Sequence, residues 1–231
     1  MRINKRTFSG GYCFKGFEGE TTLEIIKSEV PPEVAIPLKQ GFGKEVSAIV
    51  KPGDVVKAYN GKTIEIINTD AEGRLLLADA LAYGIKKYRP DYVIDLATLT
   101  GSVVVALGSH ASGLFSNNGN LAKLLTQAGQ QSGERVWELP IWDNYKTELD
   151  SPSADMKNVG GREAGSISAA KFLQEFVGDV PWAHLDIAGT AYEQNHLPYL
   201  DKGASGVGVR LLVTFLDLLT AKGTKDSKIV E

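Results

Sequence analysis

Between residues 63 and 97 the hydrophobic pattern changes period twice, and this limits the possible folds more than any other feature of the chain. Residues 63–67 form a short β-prone run. Residues 74–87 then place Leu75, Leu76, Ala78, Leu81, Ala82 and Ile85 at helical spacing, with Lys86 and Lys87 closing the segment. Residues 91–97 return to the pattern of a buried strand. Strand, helix and strand in that order predict a βαβ unit and a parallel sheet, hence an α/β protein.

The flanks fit that class. Lys51-Pro52-Gly53-Asp54 signals a turn, and Asn60-Gly61 between two β-prone runs predicts a hairpin. Residues 121–130 and 166–177 read as helices, 182–187 as a strand and 207–220 as the last packed helix. With 231 residues, 43% of them hydrophobic and 23% charged, one α/β domain can build a proper core. The expected division is an abridged, irregular part over 1–50, a core over 51–221 and a loose polar tail over 222–231.

Several function classes fall away on composition. A net charge of −3 leaves no electrostatic footprint for nucleic acid or an anionic membrane. No run approaches the roughly 18 apolar residues of a membrane span. The basic start, Met1 to Arg6, lacks the apolar stretch of a signal peptide. A single cysteine, Cys13, excludes an intrachain disulfide framework and fits a reducing compartment. Cys13 has no evident His partner for a thiol nucleophile. The Gly-Ser pairs at 101–102, 165–166 and 205–206 lack the Gly-x-Ser-x-Gly elbow of a serine hydrolase. His110, His184 and His196 show no metal spacing, and His184 reads as a packed strand residue. With one Cys and three His, a metal site here must lean on carboxylates.

Between the strand ending at Ile67 and the helix opening near Arg74 lies Asn68-Thr69-Asp70-Ala71-Glu72-Gly73. If this stretch is extended, side chains two apart share a side, so Asp70 and Glu72 can aim two carboxylates at one point. Two carboxylates held together repel, and a divalent cation relieves that repulsion. Open α/β sheets place ligands just past strand ends. Gly73 permits a turn or a close backbone approach, Arg74 offers a planar donor fork, and a helix N-terminus adds anion affinity. The competing reading is that an Asp and a Glu ahead of a helix cap it or complement its dipole.

Residues 68–79, Asn-Thr-Asp-Ala-Glu-Gly-Arg-Leu-Leu-Leu-Ala-Asp, resemble the signature of the leucyl (cytosol) aminopeptidase family nearly residue for residue. The preceding Lys51-Pro52-Gly53-Asp54-Val55-Val56 and Asn60-Gly61-Lys62-Thr63-Ile64-Glu65 resemble the hairpin that leads into it. The segments at 95–102, 153–158, 165–170 and 182–189 also resemble family segments in the same order, so the likeness covers about residues 45–221.

The resemblance implies a leucyl aminopeptidase-type catalytic domain: one α/β domain with a mixed, mostly parallel sheet flanked by helices. It implies a cytoplasmic, two-metal exopeptidase that removes N-terminal, often hydrophobic, residues from peptides and assembles as a homo-hexamer. The cofactors would be two divalent ions (manganese or zinc, or magnesium) and a bicarbonate-like anion. Asp70 and Glu72 would be metal ligands and Arg74 would hold the anion, helped by the backbone at Ala71, Gly73 and Leu99. Thr98 and Gly101 would lie where substrate backbone is gripped, and Asp155, Lys157 and Asn158 near subunit contacts and the site rim, against the plainer reading of solvated loop residues.

The family also carries an N-terminal domain and an upstream Gly-Lys-Gly-x-Thr-Phe-Asp-Ser-Gly-Gly segment. Asn4-Lys5-Arg6-Thr7-Phe8-Ser9-Gly10-Gly11 resembles that segment with its aspartate deleted. Lys5 would then match the metal-binding lysine, Lys15 the catalytic lysine that polarises the carbonyl, and Glu29 of Ile26-Lys27-Ser28-Glu29 a further acidic ligand. The expectation is one weakened metal position with low or no activity. The alternative to an active enzyme is a silent paralogue or fragment serving a structural or regulatory role in an oligomer.

Overall fold

The computed structural model describes residues 7–8, 11–12, 51–193 and 202–226. In chain order these hold β1 (Thr7–Phe8), β2 (Gly11–Tyr12), β3 (Val55–Lys57), β4 (Thr63–Glu65), α1 (Glu72–Tyr88), β5 (Val93–Ala97), α2 (Gly101–Leu107) and β6 (Ser112–Ser116). There follow α3 (Gly119–Ser132), β7 (Val136–Glu138), β8 (Met156–Lys157), α4 (Gly165–Gln174), β9 (Trp182–Asp186), β10 (Tyr192–Glu193), β11 (Gly203–Ala204) and α5 (Val209–Asp226). Short 3-10 turns cover Thr69–Ala71 and Asp143–Leu149. The fold is α/β, with mixed sheets flanked by helices.

The chain divides into two compact units, Met1–Val93 with Ile141–Val180 and Ile94–Pro140 with Pro181–Glu231. In the first, β3, β4 and β8 form one sheet. The expected hairpin is present: β3 and β4 pair antiparallel, Val56 facing Ile64, with Gly61 at φ +94° in the connection. That left-handed angle suits glycine, which lacks the Cβ that would clash. β8 joins β4 in parallel, Ile64 opposite Met156 and Glu65 opposite Lys157. α1 packs on α4, and Ala78, Leu81 and Ala82 of α1 and Ala169, Ala170, Phe172 and Leu173 of α4 are buried.

The second unit holds a four-stranded sheet in the order β5-β9-β6-β7. β6 pairs parallel with β7 and antiparallel with β9. β9 lies between two strands and every one of its residues is buried, so it shows no in–out alternation. α3 and α5 pack together, and Leu121, Leu125, Ala128, Leu211 and Phe215 join Leu114, Ala183 and Leu185 of the sheet in one core. Asn118 caps α3 by accepting from the amides of Asn120 and Leu121, and Gly133 closes it at φ +76°.

Two expectations need correction. β4 and β5 do not form one βαβ unit: β4 has its second neighbour in β8, while β5 lies in the sheet beside β9. Side chains explain the pairing of β5, because Asp95 accepts from the Trp182 indole Nε1 at 2.7 Å and meets His184 Nδ1 at 2.6 Å, both on β9. The last helix also runs to Asp226, into the stretch expected to be a loose tail.

A buried carboxylate joins the hairpin to α1. Asp79 is 4% exposed and accepts the Tyr59 amide at 2.8 Å. Burial pushes its pKa above the ordinary carboxylate value, and the Tyr59 hydrogen bond only partly offsets this. The folded state therefore holds this proton more tightly than the unfolded chain. The associated stability is full below the unfolded pKa and declines as pH rises through the folded one. Asp79→Asn keeps an oxygen for Tyr59 but cannot ionise. Thermal melts from about pH 4 to pH 7 should show a smaller loss of stability with rising pH in the variant than in the parent. Parallel pH profiles would contradict this.

Candidate functional site

The acidic stretch after β4 is a turn and not an extended segment. Asn68 lies in the β region, and its side-chain oxygen accepts the Asp70 amide at 2.9 Å, which bends the chain into the 3-10 turn. Glu72 is the first residue of α1. The two-residue alternation of a strand therefore does not govern Asp70 and Glu72, since a 3-10 turn repeats every three residues. Both residues are exposed, and among the described residues no hydrogen bond or ion pair ends on either carboxylate. Neither acid forms a side-chain cap, and each lies in a first turn, where negative charge complements the helix dipole. Asn68 provides the cap of the turn, and Ala71, at the cap position of α1, contributes no side-chain bond.

Gly73 sits inside the first turn of α1 and is not a turn residue, but a Cβ there would meet nothing within 4 Å. Among the described residues nothing fills the space beside Gly73 at the start of this 17-residue helix, where amide donors and the helix dipole favour negative charge. Arg74 is buried, and its Nη1 donates to the Asn158 carbonyl at 2.8 Å.

Asn158, just past β8, ties this region together. Its amide donates to the Glu65 carbonyl at 2.9 Å, extending the β4–β8 ladder. Its side-chain oxygen accepts from Ile67 N at 2.8 Å and Asn68 N at 3.3 Å, and its Nδ2 donates to Asn68 O at 2.7 Å. Two main-chain N–H groups facing one atom require that atom to be the oxygen, which fixes the orientation of the amide. The residue has no solvent exposure.

In the second unit Asp186, also fully buried, organises residues 99–103. Its Oδ1 accepts from Leu99 N at 3.1 Å and Thr100 N at 3.4 Å, and its Oδ2 accepts from Thr100 Oγ1 at 2.7 Å. Thr100 in turn caps α2 by accepting Val103 N. Thr98 is left exposed, the space beside Gly101 is open, and the Leu99 amide is engaged by Asp186. Gly189, three residues past Asp186, is pressed against the Gly108 carbonyl, and a Cβ there would clash with it. His184 is fully buried and bonded to Asp95, a packed strand residue as expected.

Lys5, Lys15 and Glu29 lie outside the described residues. Among the described residues no group of three or more His, Cys, Asp or Glu side chains is placed to hold a metal. Asp70 and Glu72 nevertheless fit a divalent cation as part of a donor set: both supply hard oxygen donors, both face solvent, and neither is neutralised by a neighbouring cation among the described residues. A separate cleft of about 470 Å³ lies in the same unit, lined by Lys62, Lys146, Asp155 and Glu175 among others. Burial raises the Glu175 pKa, but hydrogen bonds from Lys62 and Lys146 outweigh it and the net shift is downward. Those three charges satisfy one another. No helix of the described residues is long and apolar enough to cross a membrane.

Relatives agree with the motif-by-motif resemblance. A "Probable cytosol aminopeptidase" of Desulfotalea psychrophila is 54% identical over 167 residues, covering 72% of this chain and 33% of the relative. One of the same description from Geobacter sulfurreducens is 58% identical over 166 residues, with the same coverage. Among solved structures, a tomato leucine aminopeptidase mutant superposes with a TM-score of 0.68 at 45% identity, covering 72% of this chain and 32% of that one. The chain spans about a third of the length of the curated relatives it matches. The profile described as "Cytosol aminopeptidase family, catalytic domain" matches residues 45–213, and the chain belongs to that family.

Proposed function

We infer that this chain acts as a metal-dependent aminopeptidase, releasing N-terminal, often hydrophobic, residues from peptides. The observation that carries this is the pair of solvent-facing carboxylates, Asp70 and Glu72, unpaired among the described residues and set at an uncapped helix start within the family signature. By resemblance the protein is cytoplasmic and works as a homo-oligomer, a hexamer in its family. Manganese, zinc or magnesium ions, two per site by resemblance, suit these oxygen donors, with Lys5 and Glu29 as further ligands.

When bound, such ions acidify a water and polarise the scissile carbonyl. The chain's own residues do the rest. Asp70 and Glu72 supply the negative charge that holds the cations. The first turn of α1, open at Gly73 and at the Ala71 cap, seats a bicarbonate-like anion against its amide donors, with Arg74 adding positive charge. Held there by the α1 amides and Arg74, such an anion would supply a proton-accepting group beside the reacting water. Thr98 and Gly101 hold substrate backbone, and Asp186 keeps their loop in shape by engaging the Leu99 and Thr100 amides. Lys15 stands as the group that polarises the carbonyl from the protein side.

Hydrolysis of a leucine chromogenic amide in added manganese tests the assignment. Asp70→Ala should lower the rate by on the order of 100- to 1,000-fold, the scale of losing one fixed electrostatic group at a reacting centre. Equal rates in parent and variant would remove the catalytic assignment. Added bicarbonate should raise the parent's rate and leave that of Arg74→Ala unchanged. A variant that responds to bicarbonate as the parent does would take the anion away from Arg74.

A further inference from the structure

We propose that Asn158 is a positioning residue for the metal-binding turn, setting where the Asp70 and Glu72 carboxylates point although it touches neither substrate nor ion. This rests on the assignment of those two acids as ligands.

Asn158 holds the chain on both sides of the acids. Before them, its side chain grips Ile67 N, Asn68 N and Asn68 O, three polar groups on two successive residues of the main chain. After them, its carbonyl receives the Arg74 guanidinium from the first turn of α1. The five residues between, 69–73, are thus suspended between two attachments that end on one residue. Asn68, held in this way, directs its own side chain onto the Asp70 amide, so the grip passes through Asn68 to the first acid. Glu72 lies two residues before Arg74 on the same helical turn, so the second attachment fixes its backbone. Asn158 is itself immobilised by the ladder bond to Glu65 and by complete burial. A carboxylate on a surface turn would otherwise lose conformational freedom on binding an ion, and a turn already fixed loses less. Groups behind a metal's ligands act in this way, and their loss typically weakens metal affinity by about 10- to 100-fold.

The chemistry of the side chain is specific. An amide offers an acceptor to two N–H groups and, on a separate atom, a donor to a carbonyl. Asp at 158 keeps the shape and the acceptor but sets a second oxygen against Asn68 O.

The test uses the full chain and manganese chloride, with free Mn2+ followed by electron paramagnetic resonance. Asn158→Asp should weaken Mn2+ binding by about 10-fold or more. Ser151→Ala is the control for general loosening. Its hydroxyl also ties the loop before β8 to β4, through Glu65 Oε2, but ends away from the turn, so Mn2+ affinity should be unchanged. Parent-like affinity in Asn158→Asp, or equal losses in both variants, overturns the proposal. A second measurement needs no variant. Because coupling is reciprocal, Mn2+ should slow hydrogen exchange of the Ile67 and Asn68 amides in the parent chain more than that of Ala58 in the β3–β4 hairpin. If these three amides respond alike, the positioning role is overturned. Asp70→Asn separates the two levels. If it binds Mn2+ as the parent does, or if the parent binds none, the ligand assignment itself fails and the role of Asn158 falls with it. If it loses Mn2+ while Asn158→Asp keeps it, only the role of Asn158 fails.

Discussion

The hydrogen bonds of the Asn158 side chain to the end of β4 are the interaction on which the candidate site depends. Ile67, Asn68 and the Asn68 carbonyl lie beyond the last ladder pairing of β4, where the strand gives way to the turn. Three main-chain polar groups there meet one side chain, that of the fully buried Asn158. Bonding β8 to β4 delivers that side chain, so a two-residue strand that adds little to the core sets the geometry of the exposed acids.

The second unit solves a similar problem with a carboxylate. Asp186 takes two amides and a hydroxyl from residues 99–100 with both of its oxygens. The division of labour suits the chemistry: a loop that presents only donors is held by Asp, while a segment presenting donors and an acceptor is held by Asn, which carries both. In each unit a buried polar side chain shapes a neighbouring segment that carries exposed residues, Asp70 and Glu72 in one and Thr98 and Gly101 in the other. Buried polar groups of this kind favour a single arrangement when every partner is met.

Local chemistry made much of this legible from sequence. Asn60-Gly61 marked the hairpin, apolar spacing marked α1, α3, α4 and α5, and the string from Asn68 to Asp79 marked the acidic turn and its family. Three kinds of information lay outside local pattern. β8 exists only as a partner of β4, so two residues carry no signal of their own. β9 is buried throughout and pairs with β5 through Asp95, a contact between residues 87 and 89 positions apart. The parts played by Asn158 and Asp186 depend on partners some 90 residues away, and a polar residue after a strand does not announce what it will hold. The extended geometry expected of Asp70 and Glu72 failed for a local reason: Asn68 caps the turn and draws the chain into a helix start.

The central claim is that the turn at Asp70 and Glu72 is a cation site whose shape is imposed from behind by Asn158. Anomalous diffraction at the manganese edge, from crystals of the chain soaked in manganese chloride, measures this most directly. The account predicts a peak within coordination distance of an Asp70 or Glu72 oxygen, with the Asn158 side chain still bonded to Ile67 and Asn68. A manganese peak elsewhere with none at these carboxylates, or a bound ion with the Asn158 bonds broken, would contradict it.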